Sequence, residues 1–288
     1  MFASTHQINK TRLAPTPSGF LHLGNVFSFA ITAALAREHG AKILLRIDDL
    51  DRARADKKYI QDIFDTLNFL DIPWDEGPCD AEEFESTYSQ LHRMPLYREA
   101  LQQLADKGAI FTCTCSRKQE ITDCICRSSN LLLDTKDAAW RLITDNSEVE
   151  VKDYSGNPIR AALPAEMKNF IVRKKDGFPS YQLSSVVDDL FYGVDLVVRG
   201  EDLWPSTLAQ HYLAKIAGES RFSEITFHHH KLLKELSGEK LSKSAGATSI
   251  RYLREHGSSP ADIYTMIGGM LGVGRRIDNW QQLGEIVG

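Results

Sequence analysis

Arg12-Leu13-Ala14-Pro15-Thr16-Pro17-Ser18-Gly19-Phe20-Leu21-His22-Leu23-Gly24-Asn25 is the stretch on which the fold turns. Arg12-Leu13-Ala14 reads as a short strand, and the two prolines with Gly19 end it. Val26, Phe29, Ala30 and Ala33 then follow helical spacing, and Gly40 supplies a helix stop. Lys42-Ile43-Leu44-Leu45-Arg46-Ile47 is a continuous apolar run of the kind that buried parallel strands show. Ile60, Ile63, Phe64 and Leu67 fall on one helical face. Strand, helix, strand, helix opens an α/β protein.

Further along, a helix is predicted from about Pro95 to Lys107, stopped by Gly108, before a cysteine-rich stretch and a hairpin turning at Gly156-Asn157. This middle region reads as an insertion. The α/β pattern is expected to resume with the strand Phe170-Ile171-Val172-Arg173 and a helix through Leu183, Val186 and Val187. The strand Leu196-Val197-Val198-Arg199 and a helix from Ser206 to about Ala217 follow. The expected organisation is one nucleotide-binding fold split by an insert: 1–110 its first half, 111–168 the insert, 169–231 its second half, and 232–288 a basic loop with short helices. No internal repeat or low-complexity tract interrupts it.

A chain of 288 residues, 42% hydrophobic and 25% charged, can bury a sizeable core. No apolar run approaches the roughly 18 residues a membrane helix needs, and the N-terminus lacks the pattern of a signal peptide, so no membrane partner and a cytoplasmic monomer are expected. A net charge of -5 argues against a surface that binds nucleic acid all over. Lys231, Lys234, Lys240, Lys243, Arg251 and Arg254, with Arg275 and Arg276 beyond, nevertheless concentrate positive charge toward the C-terminal end.

Two motifs carry phosphate chemistry. His22-Leu23-Gly24-Asn25 stands where a strand gives way to a helix, so backbone N–H groups and the helix dipole favour an anion there. His22 and Asn25 can donate to phosphate oxygens, and Gly24 allows close approach; the plainer alternative is a capping loop with an incidental histidine. Lys240-Leu241-Ser242-Lys243-Ser244, flanked by Gly238 and Gly246, presents two ammonium groups that can neutralise a leaving pyrophosphate. Cys113, Cys115, Cys124 and Cys126 match the composition of a closed structural Zn²⁺ site, the alternative being reduced thiols in a small apolar insert. His228-His229-His230 invites a metal reading too, but alternate residues of a strand face opposite ways, which argues against it.

Together and in this order, the two phosphate motifs resemble the paired HIGH and KMSKS signatures of class I aminoacyl-tRNA synthetases. Arg12 to Gly19, Arg46-Ile47-Asp48-Asp49-Leu50-Asp51, Val187-Asp188-Asp189 and Val198-Arg199-Gly200-Glu201-Asp202 resemble blocks of the glutamyl-tRNA synthetase family. The resemblance spans roughly residues 12 to 245. It implies a class I synthetase-type Rossmann fold with a zinc-bearing insert and a short helical C-terminal region. It also implies ATP as substrate with Mg²⁺ bridging its phosphates.

The resemblance assigns His22, Asn25, Lys240 and Lys243 to catalysis by charge and positioning, and His22, Gly24, Asn25 and Lys243 to ATP. It assigns Arg12, Thr16, Asp48, Tyr181 and Arg199 to L-glutamate. Charge logic agrees: two arginine forks suit two carboxylates, and Asp48 suits the ammonium. The family usually has Glu at the position of Asp48 and Ser at that of Thr16. One methylene fewer moves an ammonium contact by more than about 1 Å, so either a water fills the gap or the pocket is tuned differently. Asn25 replaces the second histidine of the class-wide motif. Family zinc sites here often use Cys-x-Cys, Tyr and a last Cys, with Cys124 standing for the tyrosine and Cys126 for the last ligand.

After Ser244 only about forty residues remain, less than an anticodon-binding domain occupies. Within the family this resembles the glutamyl-queuosine tRNA(Asp) synthetases, which transfer glutamate to queuosine in the anticodon of tRNA(Asp). The alternatives are a truncated glutamyl-tRNA synthetase acting at the acceptor end and a catalytically silent, zinc-bearing RNA-binding paralogue.

Overall fold

A computed structural model describes residues 7–115, 124–233 and 249–287. In chain order the elements begin with β1 (Lys10–Leu13), α1 (Leu23–His39), β2 (Lys42–Leu45), α2 (Lys57–Phe69) and α3 (Ala81–Glu83). Next come α4 (Met94–Asp106), β3 (Ile110–Cys113), β4 (Ala139–Leu142), β5 (Glu148–Asp153), β6 (Ile159–Ala162) and β7 (Ile171–Arg173). The chain continues through α5 (Tyr181–Tyr192), β8 (Leu196–Gly200), α6 (Trp204–Ala217) and β9 (Thr226–His230). It ends with α7 (Ile250–Glu255), α8 (Pro260–Met270) and α9 (Trp280–Val287). Two compact units result, and the chain crosses between them repeatedly. The first holds the described residues up to His92, Asp195–Glu201 and those from His229 on; the second holds Arg93–Val194 and Asp202–His228.

The first unit is built on parallel strands. β1 pairs with β2 from Lys10↔Lys42 to Leu13↔Leu45, and on its other side with β8 at Thr11↔Leu196. A strand near residue 200 therefore returns to lie beside one near residue 10. Between β1 and β2 runs α1, with 10 of its 17 residues buried, so it is an internal helix rather than a surface one. It packs against β1, β2 and β8 and also against α8 and α9. Gly40 stops it in a left-handed turn (φ 63°) whose N–H returns to the carbonyls of Ala36 and Arg37. The approach of α9 leaves no room at Gly284, where a Cβ would stand 2.3 Å from that of Ala34.

In the second unit, β3, β4 and β7 form an antiparallel sheet. The β5–β6 hairpin turns at Gly156 (φ 88°), and β9 lies parallel to β5 at Lys152↔Thr226. Here the structure departs from expectation. The strand around Ile171–Arg173, read as the resumption of the parallel α/β pattern, is instead paired antiparallel with β4. A short apolar run has no signal that tells a parallel from an antiparallel partner.

The helices of this unit are fastened by a buried ionic knot. Arg93, just before α4, gives both Nε and Nη2 to Asp188 of α5 (2.8 and 3.2 Å). Tyr97 of α4 donates its hydroxyl to the same carboxylate at 2.7 Å, and Arg93 Nη1 donates to the Tyr192 hydroxyl at 3.0 Å. Asp188 is wholly buried. Burial works against the Arg93 charge, but Asp188 more than offsets it and raises the guanidinium above its ordinary value. Among the described residues no helix is long and apolar enough to cross a membrane.

Candidate functional site

The first helix begins on a reciprocal cap. His22, in extended conformation, accepts the Asn25 backbone N–H on its ring Nδ1 at 3.3 Å, while Asn25 Oδ1 accepts the His22 backbone N–H at 3.0 Å. This assigns a tautomer: with Nδ1 an acceptor, the neutral ring carries its proton on Nε2. His22 is thereby set as a hydrogen-bond donor at a helix N-terminus rather than as a base. Gly24 keeps the ring in place, since a Cβ there would stand 3.0 and 3.1 Å from His22 Cε1 and Nδ1. Sequence reasoning gave Gly24 to the ligand; its nearest neighbour is the catalytic candidate itself.

Lys240 and Lys243 lie outside the described residues, as do Lys234, Gly238 and Gly246. The chain is described again from Ser249, which forms an isolated antiparallel bridge with His22, and Ile250 N–H donates to the Leu21 carbonyl at 2.8 Å. Arg251 then lies over the Phe20 ring, 4.8 Å from its centroid. The segment leaving the lysine motif is thus stitched to the turn that carries His22.

The glutamate candidates of this unit meet at the carboxyl ends of the parallel strands, where ligands bind in open α/β sheets. Register places Arg12 opposite Leu44, and the ladder continues beyond β2, with Arg46 N–H on the Leu13 carbonyl and Asp48 N–H on the Pro15 carbonyl, both 2.9 Å. Alternation then puts Arg12, Arg46 and Asp48 on one face. The pairing of Thr11 with Leu196 puts Arg12 level with Val197, so Arg199 shares that face. Arg12, Arg46, Asp48 and Arg199 are all buried, whereas Thr16 is exposed in the loop after β1. Tyr181 belongs to the second unit, as the first residue of α5 behind the Ser180 cap, and is 42% exposed.

Arg46 is the residue that sequence reasoning missed. Its Nε and Nη2 hold the two oxygens of Asp48 at 2.8 and 3.1 Å. The available signal was the i, i+2 spacing of Arg46 and Asp48, which in extended chain puts both on one side. The neighbouring Asp49 points elsewhere. It accepts from Ser89 Oγ (2.6 Å), Gln90 N–H (2.9 Å) and Arg52 (2.9 Å), which ties the loop after β2 to residues 89–90.

In the second unit the four cysteines converge, their sulfur atoms all within 4.8 Å of one another. Cys113–Cys124, Cys115–Cys124 and Cys115–Cys126 are 3.7, 3.6 and 3.5 Å apart. Sulfurs bound tetrahedrally to an ion at about 2.3 Å sit about 3.8 Å from each other, so the set has the size of a four-thiolate metal site. None is in a disulfide. Burial and the neighbouring thiols push Cys115 up to about 12. Burial acts on Cys126 too, but the Thr114 backbone and the thiols of Cys115 and Cys124 hold it at about 6. A cation held by the four sulfurs would favour their thiolate forms. His228 packs edge-on against Tyr154 and His230 against Phe27, as aromatic rings do in a core. Among the described residues the converging metal-ligand group is the cysteine set.

Among the described residues of the basic C-terminal cluster, three arginines are in ion pairs. Arg251 pairs with Glu255 at 2.8 Å and Arg276 with Asp278 at 2.8 Å. Arg254 reaches the buried Asp62 at 3.2 Å and Asp65 at 3.6 Å. Arg275 is exposed.

The family model "tRNA synthetases class I (E and Q), catalytic domain" matches residues 9–125 and 127–278. A glutamyl-Q tRNA(Asp) synthetase of Rhodobacter capsulatus is 32% identical, over 90% of this chain and 99% of that protein. A glutamate–tRNA ligase of Treponema denticola is 34% identical over 86% of this chain, which spans only 52% of that protein's length. The solved glutamate–tRNA synthetase of Elizabethkingia anophelis shares the fold, with a TM-score of 0.73 at 20% identity, over 96% of this chain and 65% of that one.

Proposed function

The chain belongs to the class I tRNA synthetases of the E and Q type, a family of ligases, and from that premise we propose that it activates L-glutamate with ATP and transfers the glutamyl group to queuosine in the anticodon of tRNA(Asp). The observation that carries the amino-acid reading is the strand-end face. Three guanidiniums and one carboxylate, all buried, complement a substrate with two carboxylates and one ammonium. Arg12 and Arg199 take the carboxylates and Asp48 the ammonium. Thr16 and Tyr181 complete the assignment by family resemblance. The accepting base follows the Rhodobacter relative, almost the whole of which the chain spans.

In the first step an α-carboxylate oxygen attacks the α-phosphorus of ATP in line, giving glutamyl-adenylate and pyrophosphate. His22 donates its Nε2–H toward a phosphate oxygen beside the helix N-terminus, Gly24 and Asn25 keep that turn in shape, and Lys240 and Lys243 neutralise the leaving charge. Mg²⁺ would supply charge neutralisation on the phosphates of ATP. In the second step a hydroxyl of the queuosine ring attacks the activated carbonyl, forming an ester and releasing AMP.

Two measurements test this reading. Glutamate-dependent exchange of labelled pyrophosphate into ATP is expected without any tRNA; a silent RNA-binding paralogue shows none. Queuosine-bearing tRNA(Asp) trimmed of its 3′-terminal adenosine is expected to accept glutamate as well as the intact molecule, because the ester forms on the base. Loss of acceptance on trimming, with good charging of tRNA(Glu), replaces the proposal by acceptor-end ligation of the kind named for the Treponema relative.

The cysteine set is proposed to hold one Zn²⁺ through Cys113, Cys115, Cys124 and Cys126. Protein purified without added metal is expected to contain about one zinc per chain, and its removal to impair transfer to tRNA more than pyrophosphate exchange. Elemental analysis that finds no zinc, or four thiols that react freely with a probe in the native protein, refutes it.

A further inference from the structure

We infer that Arg46 is a positioning residue for recognition of the substrate's α-ammonium, acting through Asp48; this rests on the assignment of Asp48 to that group. Arg46 and Asp48 are each less than a tenth exposed, and the ladder bonds from Arg46 N–H to Leu13 and from Asp48 N–H to Pro15 fix the backbone on both sides of the pair. Two parallel bonds from one guanidinium, 2.8 and 3.1 Å long, set both the plane and the rotamer of the Asp48 carboxylate. A carboxylate accepts about four hydrogen bonds, so a fork that takes two still allows a third donor to be received in a defined direction.

The structure also separates the two adjacent aspartates. Asp49 is committed to Ser89, Gln90 and Arg52, which hold its loop, whereas Asp48 is aimed by Arg46 along the face that Arg12 and Arg199 share. Arg46 further makes the pair neutral overall. The amino acid is then selected by an ammonium contact that depends on a side chain which need not touch it.

The test is a comparison of two ligands in pyrophosphate exchange. Arg46→Lys keeps the charge but loses the fork. It is expected to raise KM for glutamate at least about tenfold while KM for ATP stays within about twofold. Inhibition by glutarate, which has both carboxylates and no ammonium, is expected to be unchanged. A merely structural role would weaken glutamate and glutarate together, and that outcome, or an unchanged KM for glutamate, overturns the inference. Should Arg46→Lys fail to fold, Arg46→Gln is read in the same way. Absence of glutamate-dependent exchange in the wild-type protein would instead overturn the assignment of function on which the inference stands.

Discussion

Lys243→Ala and His22→Ala are each expected to lower glutamate-dependent pyrophosphate exchange by about a hundredfold or more. For His22 the expectation follows from its tautomer. The ring accepts the Asn25 N–H on Nδ1, which makes Nε2–H the ring's donor beside the N-terminus of α1, the position the proposed phosphate contact would use. The alanine also removes a helix cap, at a cost of about 1 kcal/mol in stability. His22→Ser separates the two effects, since serine can cap the helix but has no ring donor. Stability is expected to return while exchange stays low. For Lys243 the expectation rests on the charge of its motif and on the stitching of Ser249 and Ile250 to Leu21 and His22. Exchange at near-normal rates in both alanine variants would remove these residues from the chemistry.

The largest effect on stability is expected at Asp188. Asp188→Ala leaves the buried Arg93 guanidinium without its counter-charge and takes away the acceptor of the Tyr97 hydroxyl, which together cost about 3–5 kcal/mol. Urea unfolding is expected to show a lower midpoint. Tyr97→Phe, which removes one hydrogen bond to a charged acceptor, is expected to cost about 2 kcal/mol. Replacing both partners, with Arg93→Met and Asp188→Leu, should recover most of the loss, because a matched apolar pair has no charge to desolvate. A loss below about 1 kcal/mol in Asp188→Ala would show that the knot does not hold α4 to α5. The result also bears on motif reading: Val187-Asp188-Asp189 looks like a functional block, yet Asp188 is spent on packing charge inside the second unit.

Much of the candidate site was legible because its signals are local. The cap at His22 and Asn25 is a four-residue pattern, and the stop at Gly40 is a single residue. The cysteine set lies within fourteen residues, and the second parallel strand announces itself as an apolar run at Ile43 to Leu45. Even the placement of Arg12 and Arg199 at strand ends could be foreseen. What escaped were pairings between distant segments or between equivalent candidates. Arg254 was counted in the positive charge toward the C-terminal end, but 192 residues before it Asp62 is buried with a carboxyl raised by desolvation, and Arg254 counters that rise.

The sequence by itself determined an α/β chain with a helix N-terminus suited to phosphate, a four-thiol cluster and charged candidate residues at the ends of strands. Capping, periodicity and spacing act within a few residues, so they are written in the order of the chain. Tertiary structure alone decided that β7 joins an antiparallel sheet, that Asp48 is aimed by Arg46 while Asp49 ties down a loop, and that Asp188 neutralises Arg93. A strand's partner and a carboxylate's cation depend on which surfaces come together on burial. Identical side chains one residue apart can then meet opposite faces, and only packing says which partners each one meets.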